Sequence, residues 1–242
     1  MAAPSRRSVP SKVTVLVNAE LKHSGKFISA SPVTERMVKA FKTAISQQNQ
    51  GVEVEVLTPA MVRHGNSGQG SDALVCPLTI DLPERLTFSQ QKVFQACRQI
   101  GDRRQWVQQH TAHRIANHSH LGDHWLPIIH TAKGPLYGEV IGEGVMPNSY
   151  HQPINVRDEQ RQNLYHLGYR LLDSIEATPG VYLLQFSFAP DQRLIFDRLW
   201  PFPAAPAIAS LHCQQPDLFT CHWRCLTGQN ITDVIIPHHL AG

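Results

Sequence analysis

One stretch constrains this chain more than any other: GVYLLQFSFAPDQRLIFDRLWPFPAAPAIAS, residues 180–210. Two runs rich in aromatic, leucine and β-branched side chains flank Ala-Pro-Asp-Gln-Arg, a sequence suited to reversing the chain. The pattern predicts two strands joined by a turn, with a proline-rich exit. Tyr182, Leu184, Phe186 and Phe188 alternate with Leu183, Gln185 and Ser187. Directly ahead lies the strongest helix signal in the chain. Asn155 can cap it, Asp158 falls in its first turn, and Leu164, Leu167, Leu171, Leu172 and Ile175 form an apolar stripe before Ala-Thr-Pro-Gly ends it. Residues 155–200 therefore read as a helix followed by an antiparallel hairpin, packed on each other.

The first part alternates strand and helix. Lys12–Val17 is a β-branched run suited to a buried strand. Ser31 and Pro32 open a helix as N-cap and first helical residue, and Met37, Val38, Phe41, Ala44 and Ile45 share one face of it. Val52–Leu57 and Asp72–Ile80 supply two more strands. This predicts a small α/β unit with a crossover helix. The glycine-rich segment Arg63–Asp72 leads into a strand rather than a helix and lacks Gly-Lys-Ser/Thr, so it reads as a surface loop and not a phosphate cradle. Thr87 and Gln90 have capping-box spacing ahead of Val93, Phe94, Cys97 and Ile100, which predicts another helix. Residues 124–144 read as two strands with glycine-rich turns.

Several functions are disfavoured by the totals. A net charge of +3 over 242 residues gives no strong sign of nucleic-acid binding, and no apolar run approaches the ~20 residues that span a bilayer. Five cysteines without framework spacing suit free thiols in a reducing compartment, which points to the cytoplasm. Histidines 110, 113, 118, 120, 124 and 130 raise a metal-binding reading, with His110 and His113 on one face if the helix continues to Ala116. Their spacing matches no familiar metal motif, and neither does that of Cys213, Cys221, His222 and Cys225.

Helix, Gly-Val, strand, turn, strand and Pro-x-Pro resembles the C-terminal lobe of ATP-grasp ligases. Residues 180–233 are most similar to carboxyaminoimidazole ribonucleotide synthetase, which reads G-V-x-x-V-E-F-F, then L-L-V-N-E-I-A-P-R-P-H-N-S-G-H, then S-Q-F-E-Q-H-L-R-A-x-x-G-L-P-L-G-D. Pro201 and Pro203 match its two prolines, and Phe219, His222, Arg224, Gly228 and Asp233 match its later block. Upstream, Ile129–Gly138 resembles L-K-T-R-R-G-G-Y-D-G, with His130 at the position of a nucleotide-contacting lysine and Lys133 close by. The chain is much shorter than the family between that segment and the hairpin, so most of the small ATP lid is expected to be missing.

The resemblance implies ATP-dependent ligation through Mg²⁺ held by a glutamate on each hairpin strand. Here those positions carry Gln185 and Arg198, with Asp197 one residue away and a bulge needed to turn it inward. The substrate segment H-N-S-G-H is the apolar Ala204–Ile208. The expected architecture is α/β with an α+β C-terminal part: a tail at 1–11, a small N-terminal βαβ unit at 12–100, and a diverged ATP-grasp-like lobe at 101–242. The expected function is a non-catalytic binding or scaffold module with a protein partner or as a homo-oligomer. It needs no cofactor, and metal-independent nucleotide or phosphate binding would fall to His130, Lys133, Gln185, Asp197 and Arg198. The alternatives are an ATP-dependent carboxylate–amine ligase or carboxylase recruiting Glu139, Glu143 or Asp173, and a His-rich metal-binding protein. In the C-terminal block, Phe219 and Trp223 are expected to pack, and His222 and Arg224 to be partly accessible.

Overall fold

The computed structural model describes residues 9–22, 27–63, 73–117 and 121–237. Most of the tail, the glycine-rich segment past Arg63, His118 and His120 lie outside the described residues. The chain opens with β1 (Lys12–Leu16), a short antiparallel pair β2 (Glu20–Leu21) and β3 (Phe27–Ser29), α1 (Pro32–Gln48), β4 (Glu53–Leu57), α2 (Pro59–Arg63) and β5 (Ala73–Pro77). β1 lies between β4 and β5 in a parallel three-stranded sheet. Both edges of the strand are paired, Val13 and Val15 are buried beneath α1, and Leu16 is buried on the opposite face against Leu57 and Leu86. α1 begins where its residues require: Ser31 Oγ accepts the Thr34 N–H at 3.2 Å, and Pro32 occupies the first turn, where no intrahelical donor is needed.

α3 (Gln91–Arg98) and α4 (Ile100–His110) follow. The capping box at Thr87 and Gln90 is not formed. The Gln90 amide instead donates to Thr178 Oγ1 and the Pro179 carbonyl, 3.2 Å each, tying the start of α3 to the hairpin entrance. α4 ends at His110, where the Thr111 hydroxyl takes the Val107 carbonyl, so His113 shares no helical face with His110.

The second sheet contains β6 (Arg114–Ile115), β7 (His124–Thr131), β8 (Gly134–Tyr137), β9 (Val140–Glu143), β10 (Tyr150–Ile154), β11 (Gly180–Phe188) and β12 (Leu194–Trp200). Its order is β10-β9-β7-β11-β12-β6, with β8 beside β7; β12 and β6 are parallel and the other pairs antiparallel. Residues 124–144 thus make three strands, not two: the chain turns once at Ala132–Lys133, with Gly134 at φ 119°, and β8 and β9 then pair separately with β7. Gly180–Ser187 are buried on both faces. Alternation in β11 therefore sorts side chains between two cores rather than between core and solvent.

One core holds Tyr182, Leu184 and Phe186 with Leu126 and Ile128 under α5 (Asp158–Ser174), whose Leu164, Leu167 and Leu171 are fully buried. The helix starts after the buried Val156 with Arg157, not Asn155, at its cap, and Gln160 Oε1 accepts the Arg157 N–H at 3.1 Å. Leu171→Ala is expected to lower stability by about 3 kcal/mol. A urea midpoint that falls at unchanged slope checks this, whereas an unmoved midpoint would detach α5 from the core.

The other core joins β7, β11, α1 and the three-stranded sheet through a 3-10 helix at Ala205–His212 and α6 (Leu218–Leu226). Phe41 of α1 meets the rings of His222 and Trp223 at 5.8 and 6.3 Å, and the Trp223 indole donates to Asn49 Oδ1 at 2.8 Å. Phe219 and Trp223 pack as expected and Arg224 is half-exposed. His222 is not accessible: it is 1% exposed, because α6 is enclosed by α1 on one side and β11 on the other. Its Nδ1 accepts the Val181 N–H at 3.0 Å.

Candidate functional site

Gln185 and Arg198 are directly opposed across β11 and β12, and the next registered pair is Phe186 with Phe196. Asp197 is therefore the unpaired residue of a β-bulge. The bulge turns it fully inward, toward α4. Arg104 donates through Nη2 to Asp197 Oδ1 and through Nε to its carbonyl at 3.0 Å. The Gly122 N–H reaches Oδ2 at 2.9 Å, and Arg198 Nε reaches Oδ1 at 3.2 Å. The guanidinium carbon of Arg198 lies 5.6 Å from the centre of the Trp200 ring, within cation–π range.

Gly122 joins the two halves of this cluster. While its N–H holds Asp197, its carbonyl accepts from Gln185 Nε2 at 2.6 Å, and Gln185 Oε1 accepts the Trp200 indole N–H at 2.8 Å. A Cβ at position 122 would lie 2.7–2.9 Å from backbone atoms of Phe186, so this approach requires glycine.

Magnesium seeks carboxylate and phosphate oxygens in near-octahedral geometry. Position 185 offers an amide whose oxygen is already bonded, position 198 offers a permanent cation, and both oxygens of Asp197 are taken by donors. Two guanidiniums against one carboxylate leave one uncompensated positive charge. At ~4 Å such a charge opposes each unit of an incoming cation by about 4 kcal/mol at an effective dielectric of 20. These residues do not fit a magnesium ion.

The five sequence candidates do not form one site. Gln185, Asp197 and Arg198 come together. His130 lies opposite Gly180, five residues from the Gln185 register, or about 17 Å along an antiparallel strand. It also points to the other face of the sheet, where its ring meets Tyr182. Its Nδ1 is buried without a hydrogen-bond partner, and burial lowers its pKa against the opposing pull of the Ala177 backbone. Lys133 is exposed in the turn between β7 and β8.

The alternative acids are also dispersed. Glu139 pairs with Arg161 at 2.7 Å, and Asp173 lies exposed on α5, across the sheet from Gln185. Glu143 falls on the same face as Gln185, two strands away, and its N–H bonds the Asp123 carbonyl at 2.9 Å. Among the described residues no three His, Cys, Asp or Glu side chains converge to hold a metal ion. His110 stacks on Trp106, and His124 pairs with Asp123 at 2.7 Å. Among the described residues no helix is long and apolar enough to cross a membrane.

Sequence reasoning missed Arg104, Gly122 and Trp200. Arg104 had one signal: it lies one turn before Val107 on α4, and both are buried. Gly122 and Trp200 had none, because their roles depend on the register of β7, β11 and β12.

No protein-family model and no curated protein sequence matches the chain. Solved structures do. The ADP complex of an N5-carboxyaminoimidazole ribonucleotide synthetase aligns with 94% of this chain and 80% of its own, at 9% identity and a TM-score of 0.68. The N5-carboxyaminoimidazole synthetase of Staphylococcus aureus aligns with 93% and 79%, at 8% identity and a TM-score of 0.67. The glycinamide-RNase-transformylase T of Mycobacterium tuberculosis aligns with 91% and 80%, at 12% identity and a TM-score of 0.61. With a small parallel sheet leading into a larger mixed one, and this similarity running over more than nine-tenths of its length, the chain has an ATP-grasp-like fold.

Proposed function

We propose that this protein is a non-catalytic binding or scaffold module on an ATP-grasp-like frame, and that any nucleotide or phosphate taken at its hairpin is held without magnesium. One observation carries the reading: the Arg104–Asp197–Arg198 cluster occupies the hairpin with a net positive charge, beside a Gln185 amide already bonded at both ends. Arg198 is half-buried, and the part of its guanidinium that Asp197 does not use can pair with phosphate oxygens. The half-exposed Trp200 beside it offers an aromatic face.

The test is a calorimetric titration with ATP in magnesium and again in chelator, beside an assay of phosphate release. Weak binding, equal in both conditions and abolished by Arg198→Ala, is expected, with no phosphate released. The competing reading is a ligase using acids from elsewhere, and the placement of Glu143 on the face of Gln185 is the observation that favours it. Tight binding that requires magnesium, or hydrolysis lost in Glu143→Gln or Asp197→Asn, would establish that reading instead.

A further inference from the structure

A cavity of about 840 Å³ lies between α1, residues 211–217 and α6, and it shares no residue with the hairpin cluster. This volume falls within the range of small-molecule sites. One wall is a single face of α1, where Arg36, Lys39 and Thr43 are all exposed at spacings of three and four. The facing wall brings Arg224 and Thr220 from α6. Neither Arg36 nor Lys39 forms an ion pair with a described residue. The one lining acid among the described residues is Asp217, and it is already engaged: it accepts the Phe219 and Thr220 N–H groups and the Thr220 hydroxyl. Three permanent cations against one committed carboxylate give the concavity a net positive charge. That excess lines an open concavity between two helices, a shape and charge suited to a small anion.

We infer that this cavity binds a small organic anion bearing phosphate. The planar fork of arginine and the point charge of lysine match phosphate oxygens, with the exposed Thr43 supplying a neutral hydroxyl on the same face of α1. Carboxylate-only anions share the charge but not the tetrahedral array of acceptors. The inference does not depend on what the hairpin binds.

Calorimetry on the full chain at low ionic strength tests it, with inorganic pyrophosphate as the phosphate probe and citrate as the carboxylate probe. Pyrophosphate is expected to bind saturably and more tightly than citrate. The R36E/K39E variant should weaken it at least about tenfold, and should do so equally in an Arg198→Ala background, where any phosphate held at the hairpin is lost. Both altered α1 residues are exposed, so a thermal melt should match the wild type; if it does not, R36Q/K39Q, which adds no new charge, serves in its place and should give a smaller loss. The proposal is overturned by an absence of saturable heat, by citrate binding as tightly as pyrophosphate, or by unchanged affinity in the α1 variants. Affinity lost in Arg198→Ala alone would place the bound phosphate at the hairpin and overturn it equally.

Discussion

Replacing Asp197 by alanine will destabilise the fold by about 3–5 kcal/mol, the loss that follows when one partner of a buried ion pair is removed. Asp197 has no solvent exposure, and its carboxylate is the counter-charge for Arg104, which is itself buried. Without it the guanidinium stays charged in a largely dry site, while the Gly122 N–H loses its acceptor. Asp197→Asn keeps an acceptor but not the charge and should fall between the two. The companion variant Arg104→Met/Asp197→Leu removes both charges at similar volume and is expected to recover most of the stability. Urea unfolding of the set decides the matter. If Asp197→Ala and wild type unfold at the same midpoint, the cluster does not hold the hairpin.

Acid will unfold the protein through His222. Burial pushes its imidazole down to about 3, against an ordinary value near ~6.5. Between those values the unfolded chain binds a proton that the folded chain refuses. The stability from a neutral His222 is therefore complete above pH ~6.5 and is lost as the pH falls toward 3, by on the order of 4–5 kcal/mol in all. His222→Gln retains an acceptor for the Val181 N–H and does not titrate. Its denaturation midpoints should accordingly fall less steeply over that window than those of the wild type. Identical slopes would mean that the folded protein admits the proton.

The hairpin and α5 were legible in the sequence because the leucine stripe marks the one buried face of a helix, and the nearly unbroken apolar run of β11 marks a strand, here covered on both faces. The bulge was legible only in part. Asp197 next to a position facing Gln185 suggested that a register shift could bring it inward, but the sequence carried no sign that Arg104, nearly a hundred residues away, would claim it. His222 misled for a related reason. An aromatic pair at i and i+4 implies one buried face, and nothing local says that α1 also covers the other. His130 was linked to the hairpin by its place in a motif. Register then put it at the far end of β7 and on the opposite face, which no one-dimensional pattern encodes.

The way Gln185 is tethered makes each single step toward a metal site costly. Gln185→Glu, taken alone, exchanges an N–H that serves the Gly122 carbonyl for an oxygen that repels it. Arg198→Glu, taken alone, sets a second carboxylate beside Asp197 with Arg104 as the remaining counter-charge. Either change is unfavourable before the other arrives, and their joint product would still have Arg104 bound to the acid between them. Placing a divalent cation here would take both exchanges together with the release of Asp197 from Arg104, three changes of which each is unfavourable on its own.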